Sequence, residues 1–236
     1  MAPSQRTPLV VAWTGAALFA ASLGWFLYCY LVRFGRPATD RSVGAAVVVN
    51  LLLFTAFALH HSALARPRAK AAVSRLIPGA LERSAYTWVA SVLFIGVCAW
   101  WRPVPGVLYE LSGPWRVLAW TVQGAGIIFT IRASQALDVL DLAGVRAVER
   151  AGGAAPRGSL TTRGLYGVVR HPLYSAWAMF VFATPTMTGT RATFAVISTA
   201  YLMLAIPWEE RALAVTFGTD YETYRRRVRW RMFPGY

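Results

Sequence analysis

Charge is scarce in this chain, and negative charge is scarcer still. Only 14% of its 236 residues are charged, and ten acidic residues face twenty-four basic ones, a formal net charge of +14. A soluble globular domain keeps about a quarter of its residues charged, so that class is excluded. Cysteine is almost missing: Cys29 and Cys98 both sit inside apolar stretches, which rules out a disulfide framework and a Cys-rich metal site. No nucleic-acid motif accompanies the positive charge, which therefore reads as loops facing anionic lipid. There is no internal repeat, and no stretch polar enough to form a second, soluble domain.

What the chain has in abundance is apolar surface, with 56% hydrophobic residues and a mean hydropathy of +0.45. Ten Trp and ten Tyr suit the headgroup level, where an apolar ring with a polar tip is stable. Apolar segments fall near 9–32, 43–65, 85–101, 114–134, 173–188 and 191–208, most of them close to the ~20 residues that a spanning helix requires. The expected fold is all-α, a polytopic transmembrane helical bundle of about six spans with a short C-terminal cytosolic helix. The last two spans form a tight hairpin turning at Thr188, Gly189 and Thr190, with five spans as the alternative. The run from Leu9 to Val32 is longer than a signal-peptide core and is expected to be a retained span. A single membrane domain over 1–236 is expected, with its chemistry in 164–236.

Orientation follows from the basic residues, because cytoplasmic loops retain Lys and Arg during insertion. Arg66, Arg68, Lys70, Arg75 and Arg83 follow the second span. Arg132, Arg146, Arg150, Arg157, Arg163 and Arg170 follow the fourth, and the tail carries Arg211, Arg225, Arg226, Arg227, Arg229 and Arg231. The alternate connections hold only Arg33, Arg36, Arg41, Arg102, Arg116 and Arg191. Both termini are thus expected on the cytoplasmic side, together with the entry to the fifth span. The Gly- and Ala-rich stretch at 151–156 is expected to be a loop able to cover a site there.

Ionisable groups beside lipid-grade segments are functional suspects. GLYGVVRHPLYSAW, Gly164 to Trp177, places Arg170 and His171 just before Pro172, a residue suited to open a helix. Tyr174 lies three residues on from His171, on the same first turn. Glu209 and Glu210 end an apolar run, where two carboxylates are costly unless cations or water compensate them. Phe217 and Gly218 then break the helix, and Tyr221 and Tyr224 stand at i and i+3 on a new one beside Arg225, Arg226 and Arg227. Each piece alone also fits interfacial anchoring or a basic surface helix. His60 and His61 point about 100° apart on a helix and do not chelate together, so no metal site is expected. Asp138 and Asp141 are read as partners for loop arginines.

Together the blocks resemble the isoprenylcysteine carboxyl methyltransferase and phospholipid methyltransferase superfamily of integral-membrane enzymes. Gly164, Tyr166, Arg170, His171, Pro172 and Tyr174 match its G-x-Y-x-x-x-R-H-P-x-Y block. Glu209, Glu210, Phe217, Gly218, Tyr221, Tyr224, Arg227 and Val228 match its second block after the intervening hairpin. HHSALARPRAK (60–70), LERSAYTW (81–88) and ATPTMT (183–188) extend the likeness to the bacterial methanethiol S-methyltransferase group. The chain departs from that group at Arg229, where a proline is usual, and at 137–148, where a histidine and two phenylalanines are lacking.

The resemblance implies S-adenosyl-L-methionine as cofactor, bound by His171, Tyr174, Glu209, Glu210, Tyr221 and Tyr224. It implies Arg170, His171 and Arg227 as the catalytic group and a small thiol such as methanethiol as acceptor, giving dimethyl sulfide. A prenylcysteine carboxylate, a lipid headgroup or another lipophilic acceptor is the alternative, and a non-enzymatic membrane protein of the same fold the second. Membrane lipid is the expected surrounding partner, with no nucleic acid and no obligate protein partner, in a bacterial inner membrane.

Overall fold

A computed structural model describes residues 3–39, 42–64, 75, 77–137, 139–149 and 160–236. Arg41, Arg66, Arg68, Lys70, Asp138, Arg150, Arg157 and the loop at 151–156 lie outside these residues. The described residues are mostly helical: α1 (Pro3–Tyr28), α2 (Val43–Leu64), α3 (Glu82–Trp100), α4 (Gly113–Gln135), α5 (Pro172–Phe182), α6 (Gly189–Phe217) and α7 (Thr219–Arg227), with short helical turns between them. Among the described residues, two short strands, β1 (Val107–Glu110) and β2 (Thr186–Thr188), are the exception.

Among the described residues, four segments are long and apolar enough to cross a bilayer: Thr7–Arg33, Val43–Ser62, Gly113–Gln135 and Gly189–Phe217. Their length and composition make this an integral membrane protein. The expected fifth span is different. Helix α5 has 11 residues, about 16 Å at 1.5 Å per residue, roughly half of a ~30 Å hydrocarbon layer. Residues expected to complete that span and turn at 188–190 instead run extended into β2, which pairs antiparallel with β1 through Val107↔Thr188, Tyr109↔Met187 and Glu110↔Thr186. Thr188 then caps α6, its hydroxyl accepting from Arg191 N at 3.1 Å.

The chain divides into two compact units, residues 1–34, 42–102 and 138–157, and residues 35–41, 103–137 and 158–236. In the first, α1 lies so close to α3 that a Cβ at Gly15 would fall 2.9 Å from the Trp88 ring, and the Trp88 indole donates to the Val11 carbonyl at 3.0 Å. Phe26 and Phe57 both meet Phe94. Arg33, at the end of a π-helical turn, donates to the Cys98 and Ala99 carbonyls that end α3, which have no donors of their own in the helix.

In the second unit α4 packs on α5. A Cβ at Gly126 would come within 2.9 Å of the Ala176 carbonyl and the Phe180 amide, so only glycine allows this approach. The buried Gln123 amide donates to Phe180 O at 2.9 Å, and Trp177 Nε1 donates to Ser198 Oγ of α6 at 3.0 Å. Pro207 in α6 removes the bond its amide would make to the Met203 carbonyl, two residues before the paired glutamates. Gly218, at φ 55°, ends α6 and starts α7, a left-handed turn that side chains other than glycine's resist.

Candidate active site

The site lies wholly within the second unit, and backbone geometry assembles it. Arg170 and His171 directly precede α5, and their amides donate to Trp230 O at 2.9 Å and Arg231 O at 2.8 Å. Segment 228–232, beyond α7, is thereby laid along the Arg-His-Pro block as a strap. Arg170 Nη1 reinforces it by donating to the Val228 and Arg229 carbonyls, both at 2.7 Å, and Ser175 donates to Met232 O. Under the strap Met232 packs with Tyr174, Ala178 and Ile206.

The side chains then converge from α5 and α6. Arg170 Nε donates to Glu210 Oε1 at 2.7 Å, and both side chains are only 7% exposed. His171 lies between the two carboxylates, Nδ1 at 3.5 Å from Glu209 Oε2 and Nε2 at 3.4 Å from Glu210 Oε1. These are ion contacts rather than tight hydrogen bonds, and Nε2 has no hydrogen-bond partner among the described residues. Tyr174 stacks on the imidazole at 5.3 Å and donates its hydroxyl to Glu209. Arg231 Nε stands 3.7 Å from the second oxygen of Glu210. Burial pulls the His171 pKa down, but the two carboxylates outweigh it and hold the group above its ordinary value.

Helix α7 closes another side. Tyr221 and Tyr224 are buried with Val228 against Leu213 and Phe217. Tyr224 donates to the Tyr166 carbonyl at 2.7 Å, so it ties α7 to the turn before the Arg-His-Pro block. The Tyr221 hydroxyl is buried without a partner among the described residues. Burial, and then the charge of Glu210, push its pKa to about 12, so it is a neutral donor at any physiological pH.

Of the residues expected from sequence, Arg170, His171, Tyr174, Glu209 and Glu210 form one cluster. Tyr221 packs beside Tyr224, which serves the scaffold. Arg227 is exposed, and its Nη2 reaches only the Thr162 carbonyl, at 3.4 Å. Arg170 is committed to Glu210 and two carbonyls, the geometry of a positioning residue. His61, in the first unit, pairs through Nδ1 with Tyr86 at 2.5 Å. Sequence reasoning counted Arg231 only as a tail cation and gave Ser175 no part. Both matter through the strap, whose backbone hydrogen bonds leave no mark in residue type.

The cluster therefore offers a buried acid held by two guanidiniums, a second acid beside an imidazole, and an unused phenol. Comparison with known proteins supplies the family. Methanethiol S-methyltransferase 2 of Bradyrhizobium diazoefficiens is 34% identical over 223 residues, covering 92% of this chain and 84% of its own. The chain belongs to the methanethiol S-methyltransferase family. The enzyme of that name from Mycobacterium tuberculosis is 34% identical over 213 residues, 89% of this chain and 87% of its own. More distantly, the Nurim homolog of Drosophila melanogaster is 26% identical over 180 residues, 71% of this chain and 70% of its own. No family model and no solved structure matches the chain. The resemblance drawn from the two motif blocks is borne out, and family members of this name require a methyl donor and a thiol.

Proposed function

We propose that this protein methylates methanethiol to dimethyl sulfide with S-adenosylmethionine as donor, in a bacterial inner membrane with both termini and the site facing the cytoplasm. The observation that carries the reading is the joining of the Arg-His-Pro block to the Glu-Glu pair: His171 within 3.5 Å of both carboxylates. The basic connections after the second and fourth apolar segments, and the basic tail, support the orientation.

The residues present fit such a donor. A buried hydroxyl and an imidazole nitrogen without hydrogen-bond partners among the described residues, on Tyr221 and His171, are groups that a polar ligand would satisfy. Glu209, with a side chain 41% exposed, suits an ammonium or ribose hydroxyls. The donor, when bound, supplies a methyl group already activated on a sulfonium sulfur. The protein's tasks are then alignment, exclusion of water and management of one proton.

Tyr174 and Glu209 hold the imidazole in register through stacking and charge. Glu210 is fixed by Arg170, which also keeps the strap in place. The acceptor must be a thiolate, because the thiolate is the nucleophile. In its neutral form His171 takes the thiol proton on a ring nitrogen, and the flanking carboxylates stabilise the imidazolium that results. Arg227, exposed on α7, adds positive potential that favours the anionic acceptor.

Headspace dimethyl sulfide from cells fed methanethiol, with and without this protein, tests the reading, alongside S-adenosylmethionine binding by the purified protein. Both should be positive, and both should fall in His171→Asn. One observation favours a second reading, a bulkier lipophilic acceptor. A groove of about 420 Å³, bounded by Val122, Met179, Phe182 and Phe233 among others, is far larger than methanethiol needs. Donor binding without dimethyl sulfide formation would support that acceptor.

A further inference from the structure

Three arginines stand at or near the site, and their engagements differ. Arg170 is buried and donates to Glu210 and to two carbonyls. Arg227 is exposed, with one long contact to Thr162. Arg231 is placed firmly, and its guanidinium is engaged only loosely. Its carbonyl accepts from His171 N at 2.8 Å and its amide donates to Tyr236 O at 2.6 Å, so its backbone is fixed on both sides. Its guanidinium lies over the Tyr236 ring at 5.8 Å and 3.7 Å from Glu210, beyond hydrogen-bond length. Among the described residues it donates no side-chain hydrogen bond, and it is 37% exposed.

A guanidinium has five N–H donors in a planar fork that matches a carboxylate in two parallel bonds. One anchored by backbone and ring, with its donors unused, is organised in advance for such an anion. The charges around His171 add a direction. Glu209 lies at the Nδ1 edge of the imidazole, while Glu210, with Arg231 against its outer oxygen, lies at the Nε2 edge. A carboxylate site and a cation site thus bracket one ring, the pattern that an α-amino acid's ammonium and carboxylate would complement. A thiolate presents a single sulfur and has no use for a fork.

We infer that Arg231 binds the α-carboxylate of the methyl donor's amino-acid end and is the residue that selects donors carrying it. This deepens the S-adenosylmethionine reading and rests on it. Affinities of the full-length protein in detergent, measured by calorimetry for S-adenosylmethionine and for its decarboxylated analogue, test it.

In Arg231→Gln, affinity for S-adenosylmethionine should fall about tenfold or more while that for the analogue stays within about twofold, because the lost bonds are charge-assisted and specific to the carboxylate. Arg231→Lys, a point charge without the fork, should fall between and covers the case in which Arg231→Gln does not fold. Equal weakening of both ligands would make Arg231 a support for Glu210 and overturn the inference, as would no change in either. A wild-type protein that binds neither ligand would instead sink the S-adenosylmethionine reading itself.

Discussion

Two sets of polar side chains, one in each compact unit, are satisfied in different ways. In the first unit Asn50 and Arg33 serve the backbone. Asn50 exchanges two hydrogen bonds with the Arg102 main chain, at 2.8 and 2.7 Å, and Arg33 covers the last carbonyls of α3. In the second unit Arg170, His171, Tyr174, Glu209 and Glu210 address one another, leaving a phenol and an imidazole nitrogen unfilled. A polar side chain used up on backbone stabilises a fold. Polar side chains that meet each other with atoms to spare mark chemistry.

The sharpest way to break this contrast is Glu210→Ala, which leaves the buried Arg170 charge without its carboxylate. Removing one partner of a buried pair costs about 3–5 kcal/mol, and a large drop in the thermal unfolding midpoint in detergent should report it. His171→Asn comes next. Losing the general base proposed here should lower turnover by about 10²-fold or more.

The pH dependence of His171 should run in opposite directions for stability and turnover. Its folded pKa is raised by the carboxylates, so the charged imidazole's contribution to stability is whole below the ordinary value of about 6.5. That contribution fades as pH rises through the folded value. Turnover, which needs the neutral base, should rise over the same interval. Parallel unfolding and activity profiles check this, and in His171→Asn both dependences should vanish.

Asn50→Leu should cost about 1–3 kcal/mol, the penalty of stranding a buried backbone amide and carbonyl. Equilibrium unfolding measures that loss, and calorimetry should show donor affinity unchanged. The smallest effect belongs to Tyr221→Phe. Its hydroxyl has no partner among the described residues, so stability should hold, while donor affinity should weaken by about 1 kcal/mol, the worth of one hydrogen bond. An Asn50 variant that lost donor binding, or a Tyr221 variant that lost only stability, would erase the distinction between the units.

The long helices were legible because apolar composition over some twenty residues leaves few alternatives. The expected segments 43–65 and 114–134 correspond to Val43–Leu64 and Gly113–Gln135, and Gly218 ends α6 where Phe217-Gly218 was read as a break. Strand β2 was not legible. Thr186–Thr188 continues an apolar run, and what makes it extended is pairing with β1, some eighty residues earlier in the chain. Of the site, the motif blocks marked Arg170, His171, Tyr174 and the glutamates. They could not tell that Arg170 is buried under a strap, that the Tyr224 hydroxyl donates to the Tyr166 carbonyl, or that Arg231 is placed beside Glu210.

Residue composition and order by themselves determined a helical membrane protein, its family and a set of candidate polar side chains, because hydrophobic length and residue type are properties of the chain alone. Only the tertiary structure decided which of those side chains have atoms left for a ligand. That depends on main-chain hydrogen bonds between segments about sixty residues apart, His171 to Arg231, and an amide or carbonyl is the same group in every residue that carries it.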